Sequence, residues 1–177
     1  LTWNKTHFDT VILCNGYKLA YIPPFKNLPY RPAKGHIITA KIPGYESSVI
    51  LSKDKWVVPF KQDTFKCGAT YEWSFRSPTE VSKEKSKQLT NQLNNIVGLP
   101  LTPITIEAAV RPSTNDARPL LGTLPDLPQV AVFGGLASKG IMMAPLLAQE
   151  LADYLIHGKE IPKEYNVTRF LPKTQVD

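Results

Sequence analysis

Apolar residues in this chain come in two arrangements: short continuous runs near both ends, and spaced positions within longer polar stretches between them. Residues 130–133 form a run with the length and β-branching of a buried strand, and it stops at Gly134-Gly135. Beyond the glycines, Ala144, Leu147, Ala148, Leu151 and Leu155 recur at helical spacing, with Gln149, Glu150, Asp153 and His157 on the other side, which predicts an amphipathic helix. The segment reads strand, glycine-rich turn, helix. Such a turn lets backbone approach a ligand closely, and the first N–H groups of a helix, unpaired within it, favour an anionic or electron-rich occupant. Glycine also serves many strand-to-helix turns for geometry alone, so the segment by itself marks only a candidate site.

Elsewhere the pattern predicts two kinds of structure. Residues 10–14 make a second continuous run, closed by Asn15-Gly16, of the kind found in parallel sheets covered on both faces. Residues 17–31 read as an extended loop, with Pro23, Pro24 and Pro29 inside it and Pro32 beyond. Residues 35–42 and 48–51 have strand composition about the turn dipeptide Pro43-Gly44, which predicts a hairpin; residues 56–59 and 65–71 make a second pair about the polar turn 61–64. Ser77-Pro78-Thr79-Glu80 reads as a helix start, with Ser77 at the N-cap and Glu80 closing a capping box. Val81, Leu89, Leu93, Ile96 and Val97 form the core stripe of that helix, and Gly98 with Pro100 ends it. Residues 101–110 predict a strand stopped by Arg111-Pro112, then a polar turn over 113–118 and a proline-flanked loop over 119–122. The middle, 33–110, thus predicts an antiparallel sheet with one long helix, and the ends predict fragments of a parallel α/β layer. The fold class is α+β, with an excursion that leaves one domain, forms a second and returns.

Composition narrows the function less than the pattern does. At 177 residues the chain is one large domain or two small ones. Lys and Arg outnumber Asp and Glu, 21 to 15, for a net charge of +6, but the lysines are scattered and no dense basic block interleaves with aromatics, so nucleic-acid binding is a minor expectation. Cys14 and Cys67 are far apart, in apolar strand-like contexts and without metal-ligand spacing; they predict buried free thiols of a cytoplasmic protein and no metal site. No apolar run approaches the length that spans a bilayer. His36 and His157 have no companion in any triad pattern and are assigned no chemistry. The chain opens with Leu1 rather than Met and runs almost at once into a strand, which suggests a piece cut from something longer.

Residues 111–122, RPSTNDARPLLG, stand shortly before a strand that ends in GGLASKGIMMAP. In these stretches the chain resembles the C-terminal half of FAD-dependent oxidoreductases of the D-amino-acid oxidase superfamily, whose glycine-oxidase-like members carry GLRPxTxDxxPxIG and GHxxxGxxLAP. Asp9 to Gly16 is similar to the family's DxVVxAxG strand, and Pro32-Ala33-Lys34-Gly35 to its PxKG lead into the substrate domain; Cys67-Gly68-Ala69-Thr70 agrees as well. The GxGxxG dinucleotide fingerprint is absent, since Gly134, Gly135 and Gly140 have the wrong spacing at the wrong end. The resemblance therefore implies the C-terminal portion of a flavoprotein whose N-terminal FAD-binding half is missing here. Residues 1–32 and 111–177 would be pieces of a truncated FAD-binding α/β layer and 33–110 the substrate-binding domain. Alone, such a chain is expected to bind FAD poorly and to be inactive.

The resemblance also implies oxidation of a small amine or amino acid by hydride transfer to flavin. Gly134, Gly135, Ala137, Ser138, Lys139, Gly140, Ile141 and Met142 would cradle the pyrimidine edge of the flavin, where a helix N-terminus stabilises the charge of the reduced ring. Arg111 matches the family arginine that pairs with a substrate carboxylate, a role its fork suits, and Trp56 stands where relatives line the substrate pocket with an aromatic. No catalytic acid or base is assigned. Glycine oxidases carry a second cation in the glycine-rich turn, where this chain has Ser138 followed by Lys139. In that respect the turn is closer to the GxGSRG-like turn in the oxidase half of a bifunctional tRNA-modifying enzyme. Two alternatives stand beside the amine oxidoreductase: that tRNA-modifying oxidase, and a non-catalytic α+β binding module that keeps only the substrate-domain sheet.

Overall fold

A computed structural model of the chain describes residues 1–23 and 25–171; Pro24 of the proline-rich segment and residues 172–177 of the C-terminal piece lie outside the described residues. In chain order the strands are β1 (Thr2–Trp3), β2 (Thr6–His7), β3 (Val11–Leu13), β4 (Ala33–Lys41), β5 (Leu51–Ser52), β6 (Trp56–Lys61), β7 (Thr64–Gly68), β8 (Thr102–Arg111), β9 (Leu120–Leu124) and β10 (Leu127–Gly134). The helices are α1 (Lys83–Val97) and α2 (Gly140–His157), with short 3-10 turns at Gly16–Tyr21, Phe25–Asn27 and Val167–Phe170. The chain divides into two compact units, Ala33–Val110 and the pair Leu1–Pro32 with Arg111–Asp177.

Unit 33–110 is a five-stranded sheet in the order β5-β6-β7-β4-β8, with α1 packed on β4 and β7. β4 is buried along nearly its whole length, Ile38 and Ala40 completely, so it requires neighbours on both edges. β7 pairs with it antiparallel, Ile38 opposite Cys67, and β8 flanks its other edge. The hairpin predicted between residues 35–42 and 48–51 does not form. Val49 and Ile50 are exposed, and the chain rejoins the sheet only at β5, which reaches β6 across a tight turn closed by Lys53 N–H to Lys55 O at 2.8 Å. β6 and β7 form the second predicted hairpin, though β7 ends at Gly68 rather than running on to residue 71. Leu89 and Leu93 of α1 close the core over Ile38, Val57, Phe65 and Cys67.

α1 starts later than the capping box predicts. Ser77 Oγ does accept the Glu80 N–H at 3.3 Å, but the chain then stays non-helical, and Ser82 caps α1 by accepting the Lys85 N–H at 3.3 Å. A helix begun at Ser77 would need the Ser82 N–H inside its own ladder. That group is instead donated to His36 Nε2 at 3.0 Å. Val81 consequently lies outside the helix and outside the core stripe, 37% exposed. Gly98 ends α1 as predicted, in the left-handed region at φ 75°.

His36 is completely buried on β4. Because Nε2 accepts from Ser82, the ring proton sits on Nδ1, which faces Thr70 Oγ1 at 2.9 Å. Glu72 Oε1 lies 3.1 Å from Nδ1 but off the donor direction, and it is buried without a hydrogen bond. Burial pulls His36 below the ordinary histidine range; the Glu72 carboxylate opposes this, while Lys34 and Lys85 reinforce it. The unfolded chain therefore takes up a proton below about pH 6.5 that the folded chain resists. The contribution of neutral His36 is complete above that value and is lost as pH falls through the folded pKa. The expected outcome is a urea midpoint lower at about pH 5 than at about pH 7.5, with His36→Gln weakening that dependence. A wild-type midpoint that does not move between these pH values would remove the argument.

The other unit holds a small antiparallel hairpin, β1 with β2, and a three-stranded sheet in the order β3-β10-β9. β3 runs parallel to β10, Val11 opposite Val130, whereas β9 runs antiparallel to it, Leu120 opposite Gly134. The terminal layer is mixed rather than wholly parallel. Residues 119–122, predicted as loop, mostly belong to β9, whose five residues are all buried; Pro119 and Pro125 delimit a strand there. Leu147 and Leu151 of α2 cover one face of this sheet, against Leu121 and Ala131, and Leu19, Phe25, Leu28 and Val167 cover the other. Leu19 and Phe25 come from 3-10 turns, so residues 17–31 are not a plain extended loop but carry part of the core.

Further differences follow from what covers what. Ala148 is exposed and Glu150 is half-buried, the reverse of their predicted faces. The sheet-facing stripe of α2 is turned towards Tyr154, whose hydroxyl bonds Thr123 Oγ1 at 2.8 Å. Cys14 is exposed rather than buried, as is its neighbour Ile12 at 47%, since β3 is an edge strand that is not covered on both faces. Cys67 is buried, which pushes its thiol up to about 11. No helix among the described residues is long and apolar enough to cross a membrane.

Candidate functional site

The turn between β10 and α2 is built by close backbone approach. Gly135 has φ +71°, and a Cβ there would lie 3.1 Å from Arg118 O, Leu120 N and Thr114 Cγ2. Only glycine lets the 135–139 turn rest directly on the 114–120 loop. Ala137 takes a positive φ of 50° and donates its N–H to Pro112 O at 3.3 Å, which ties the turn to the residue after Arg111. Lys139 is the N-cap of α2 but provides no side-chain cap. Its carbonyl accepts the Met142 and Met143 N–H groups at 3.1 and 3.0 Å, and the Gly140 and Ile141 N–H groups find no acceptor among the described residues. Free donors at a helix N-terminus favour an anionic or electron-rich ligand.

A cavity of about 400 Å³ lies in front of this turn, walled by residues 117–119, the turn itself, and Glu164 with Tyr165. That volume is in the range of small-molecule sites, about 300–1,000 Å³. Leu136, Pro119 and Met143 give it apolar surface, while Arg118 and Lys139, against the single carboxylate of Glu164, leave its rim net positive. A planar ring with an electron-rich edge suits such a lining. These residues therefore fit the ring end of FAD; among the described residues no fingerprint loop is present for its pyrophosphate. A second cavity, about 450 Å³, lies in unit 33–110 between residues 41–47 and 62–65, with neither a helix N-terminus nor a cation pair of this kind.

The 114–118 loop is internally braced. Thr114, buried, shares its one hydroxyl proton between Arg118 O at 2.7 Å and Asp116 Oδ1 at 2.9 Å, and accepts the Arg118 N–H at 3.1 Å. Arg169 donates to Asp116 through Nε at 2.9 Å and Nη2 at 3.2 Å. Burial would raise the Asp116 carboxyl, but hydrogen bonds from Arg169, Thr114 and the Arg118 amide outweigh it and hold the carboxyl below its ordinary value.

Of the predicted cradle residues, Gly135, Ala137, Ser138 and Lys139 line the cavity, whereas Gly134, Gly140, Ile141 and Met142 do not. Gly134 is buried at the end of β10, and Ile141 and Met142 point outward, 98% and 74% exposed; Met143 takes the inward position. Arg111 is half-buried at the end of β8, one residue before the Pro112 carbonyl that holds the turn. Trp56 belongs to unit 33–110, where it is half-buried on β6 opposite Gly68. Arg118 and Pro119 escaped the prediction because their stretch reads as a polar turn, although it sits inside the family motif. Glu164, Tyr165 and Arg169 carry no local signal at all.

Residues 2–154 match the family model described as FAD dependent oxidoreductase. A bifunctional tRNA 5-methylaminomethyl-2-thiouridine biosynthesis protein from Marinobacter nauticus is 29% identical over 81% of this chain and 25% of its own length. Glycine oxidase from Pseudomonas aeruginosa is 26% identical over 75% of this chain and 37% of its own. Among solved structures, glycine oxidase from Geobacillus kaustophilus superposes with a TM-score of 0.76 at 22% identity, and iminodiacetate oxidase from a Chelativorans species with 0.75 at 24%. The overlaps cover 92% and 90% of this chain but 46% of each neighbour, so they establish the fold and show that the chain spans under half of these proteins. With the match running through nearly the whole of the chain, including the loop and the turn that wall the cavity, the chain belongs to the DAO family of FAD-dependent oxidoreductases.

Proposed function

We propose that the polypeptide carrying this chain oxidises a small amine or amino acid with FAD as hydride acceptor. In this reading residues 1–32 and 111–177 complete an FAD-binding domain whose other half lies outside the chain, and residues 33–110 are the substrate-binding domain. The observation that carries it is the cavity of about 400 Å³ between the 117–119 loop and the 135–139 turn, lined by Lys139, the N-cap of α2. A bound FAD would supply the hydride acceptor for the C–H bond that breaks on the substrate. The chain's own residues do the rest. Lys139, which lines the cavity at the N-terminus of α2, would offset negative charge on the ring; Arg111 would grip a substrate carboxylate with its fork; Trp56 would line the substrate pocket as an apolar, water-excluding surface. Both cysteines are free thiols, which fits a reducing compartment such as the cytoplasm. On its own the chain is expected to be inactive.

The test is anaerobic mixing of the full polypeptide with a panel of amines and amino acids, following the oxidised-flavin band. Bleaching by at least one of them is expected, and Arg111→Met should raise KM for carboxylate-bearing substrates by about 10- to 100-fold with kcat little changed. A flavin that no amine reduces would sink the reading. The Marinobacter relative and the Ser138-Lys139-Gly140 turn favour a second reading, an oxidase acting on modified tRNA. That reading requires RNA binding that weakens steeply with salt.

A further inference from the structure

The carbonyl of Arg118 is the point at which the walls of the cavity meet. It accepts from Thr114 Oγ1 at 2.7 Å and from Arg169 Nη2 at 3.4 Å, and it is one of the atoms that forbids a side chain on Gly135. Arg169 is the connector. It lies in the C-terminal 3-10 turn, its side chain is only 13% exposed, and its guanidinium sits 4.1 Å above the Phe170 ring while Nη1 donates to Asn166 O at 3.1 Å. The segment it belongs to is itself fixed to β9, Leu121 N–H to Tyr165 O at 2.8 Å, and Tyr165 lines the cavity. From this base the fork reaches Asp116 with two hydrogen bonds, at 2.9 and 3.2 Å.

We propose that Arg169 is a positioning residue: clamped on Asp116 and the Arg118 carbonyl, it holds the 114–118 loop against the Gly135 turn and so sets where Arg118 and Pro119 stand around the cavity. The proposal rests on the reading of that cavity as the seat of the flavin ring. Arg169 does not line the cavity, so its effect passes entirely through the loop. A fork that bridges Asp116 and a carbonyl is only partly replaced by a point charge, because lysine has no planar pair of donors. Loss of the fork leaves Asp116 with Thr114 and the Arg118 amide but unties the loop from the C-terminal segment.

The experiment uses Arg169→Met, Arg169→Lys and Asp116→Asn in the full polypeptide, with amide hydrogen exchange and flavin titration as readouts. In Arg169→Met the Arg118 and Ala137 amides should exchange at least about tenfold faster while the Leu147–Leu151 amides of α2 keep their protection. Flavin Kd should rise about tenfold with a changed visible circular dichroism of the bound flavin, a signature that loss of global stability alone would not give. Arg169→Lys should fall between wild type and Arg169→Met. Unchanged exchange at Arg118 and Ala137, or acceleration spread equally through α2, overturns the proposal. If Arg169→Met does not fold, Arg169→Lys and Asp116→Asn report on the same amides. If wild type takes up no flavin, the functional reading fails while the exchange experiment still decides the clamp.

Discussion

Gly135→Ala is expected to cost on the order of 3 kcal/mol of folding stability, read as a fall in the urea midpoint at unchanged slope. Two terms add. A non-glycine residue at φ +71° costs about 1 kcal/mol, as at any left-handed position. The new methyl would also sit 3.1 Å from Arg118 O, Leu120 N and Thr114 Cγ2, and two of these are backbone atoms in a braced loop and a buried strand. They can yield only if the 114–120 loop moves, which adds the larger share. Gly98 supplies the control: its φ is +75° and nothing lies within 4 Å of its would-be Cβ, so Gly98→Ala carries the backbone term alone, about 1 kcal/mol. Equal losses at the two positions would mean that the turn does not rest on the loop.

Gly68→Val is the second large effect, expected at about 2–3 kcal/mol. Trp56 and Gly68 are directly opposite on β6 and β7, and the indole lies over the glycine, with Cζ2 only 2.6 Å from where a Cβ would be. An aromatic covering a cross-strand glycine shields a stretch of sheet that has no side chain of its own. Valine at 68 must evict the indole, which is expected to expose Trp56 and shift its fluorescence to the red. The loss should be much smaller in a Trp56→Leu background, because the clash is with the ring; a double-mutant cycle over the pair measures the coupling. Additive losses would contradict the packing described.

Much of this architecture was legible in short-range chemistry. The strand, glycine pair and helix of residues 130–157, the hairpin of β6 with β7, and the glycine that ends α1 each rest on residues within a few positions of one another. What was not legible depended on partners distant in sequence. Ser77 has every local mark of a helix start and makes the local hydrogen bond, yet α1 waits for Ser82 because a histidine on β4 takes the Ser82 N–H. β9 was hidden by its flanking prolines and is a strand because β10 pairs with it and both faces are covered. The motif residues include the turn and the loop that wall the cavity, but they do not tell which side chains face it: helix phase turns Met143 in and Met142 out. Arg169 has no motif around it, and its importance appears only when the C-terminal turn is seen against Asp116.

In the proposed function the flavin ring sits in the cavity at the N-terminus of α2. Ser138 lines it from an exposed turn position, so Ser138→Trp should fill the cavity and leave the fold intact. The decisive measurement is equilibrium flavin titration of the full polypeptide, wild type against Ser138→Trp, with far-ultraviolet circular dichroism as the check on folding. Stoichiometric flavin uptake by wild type is expected, with a loss of affinity of about 100-fold or more in the folded variant. Equal flavin affinity in the two proteins would contradict that placement of the ring.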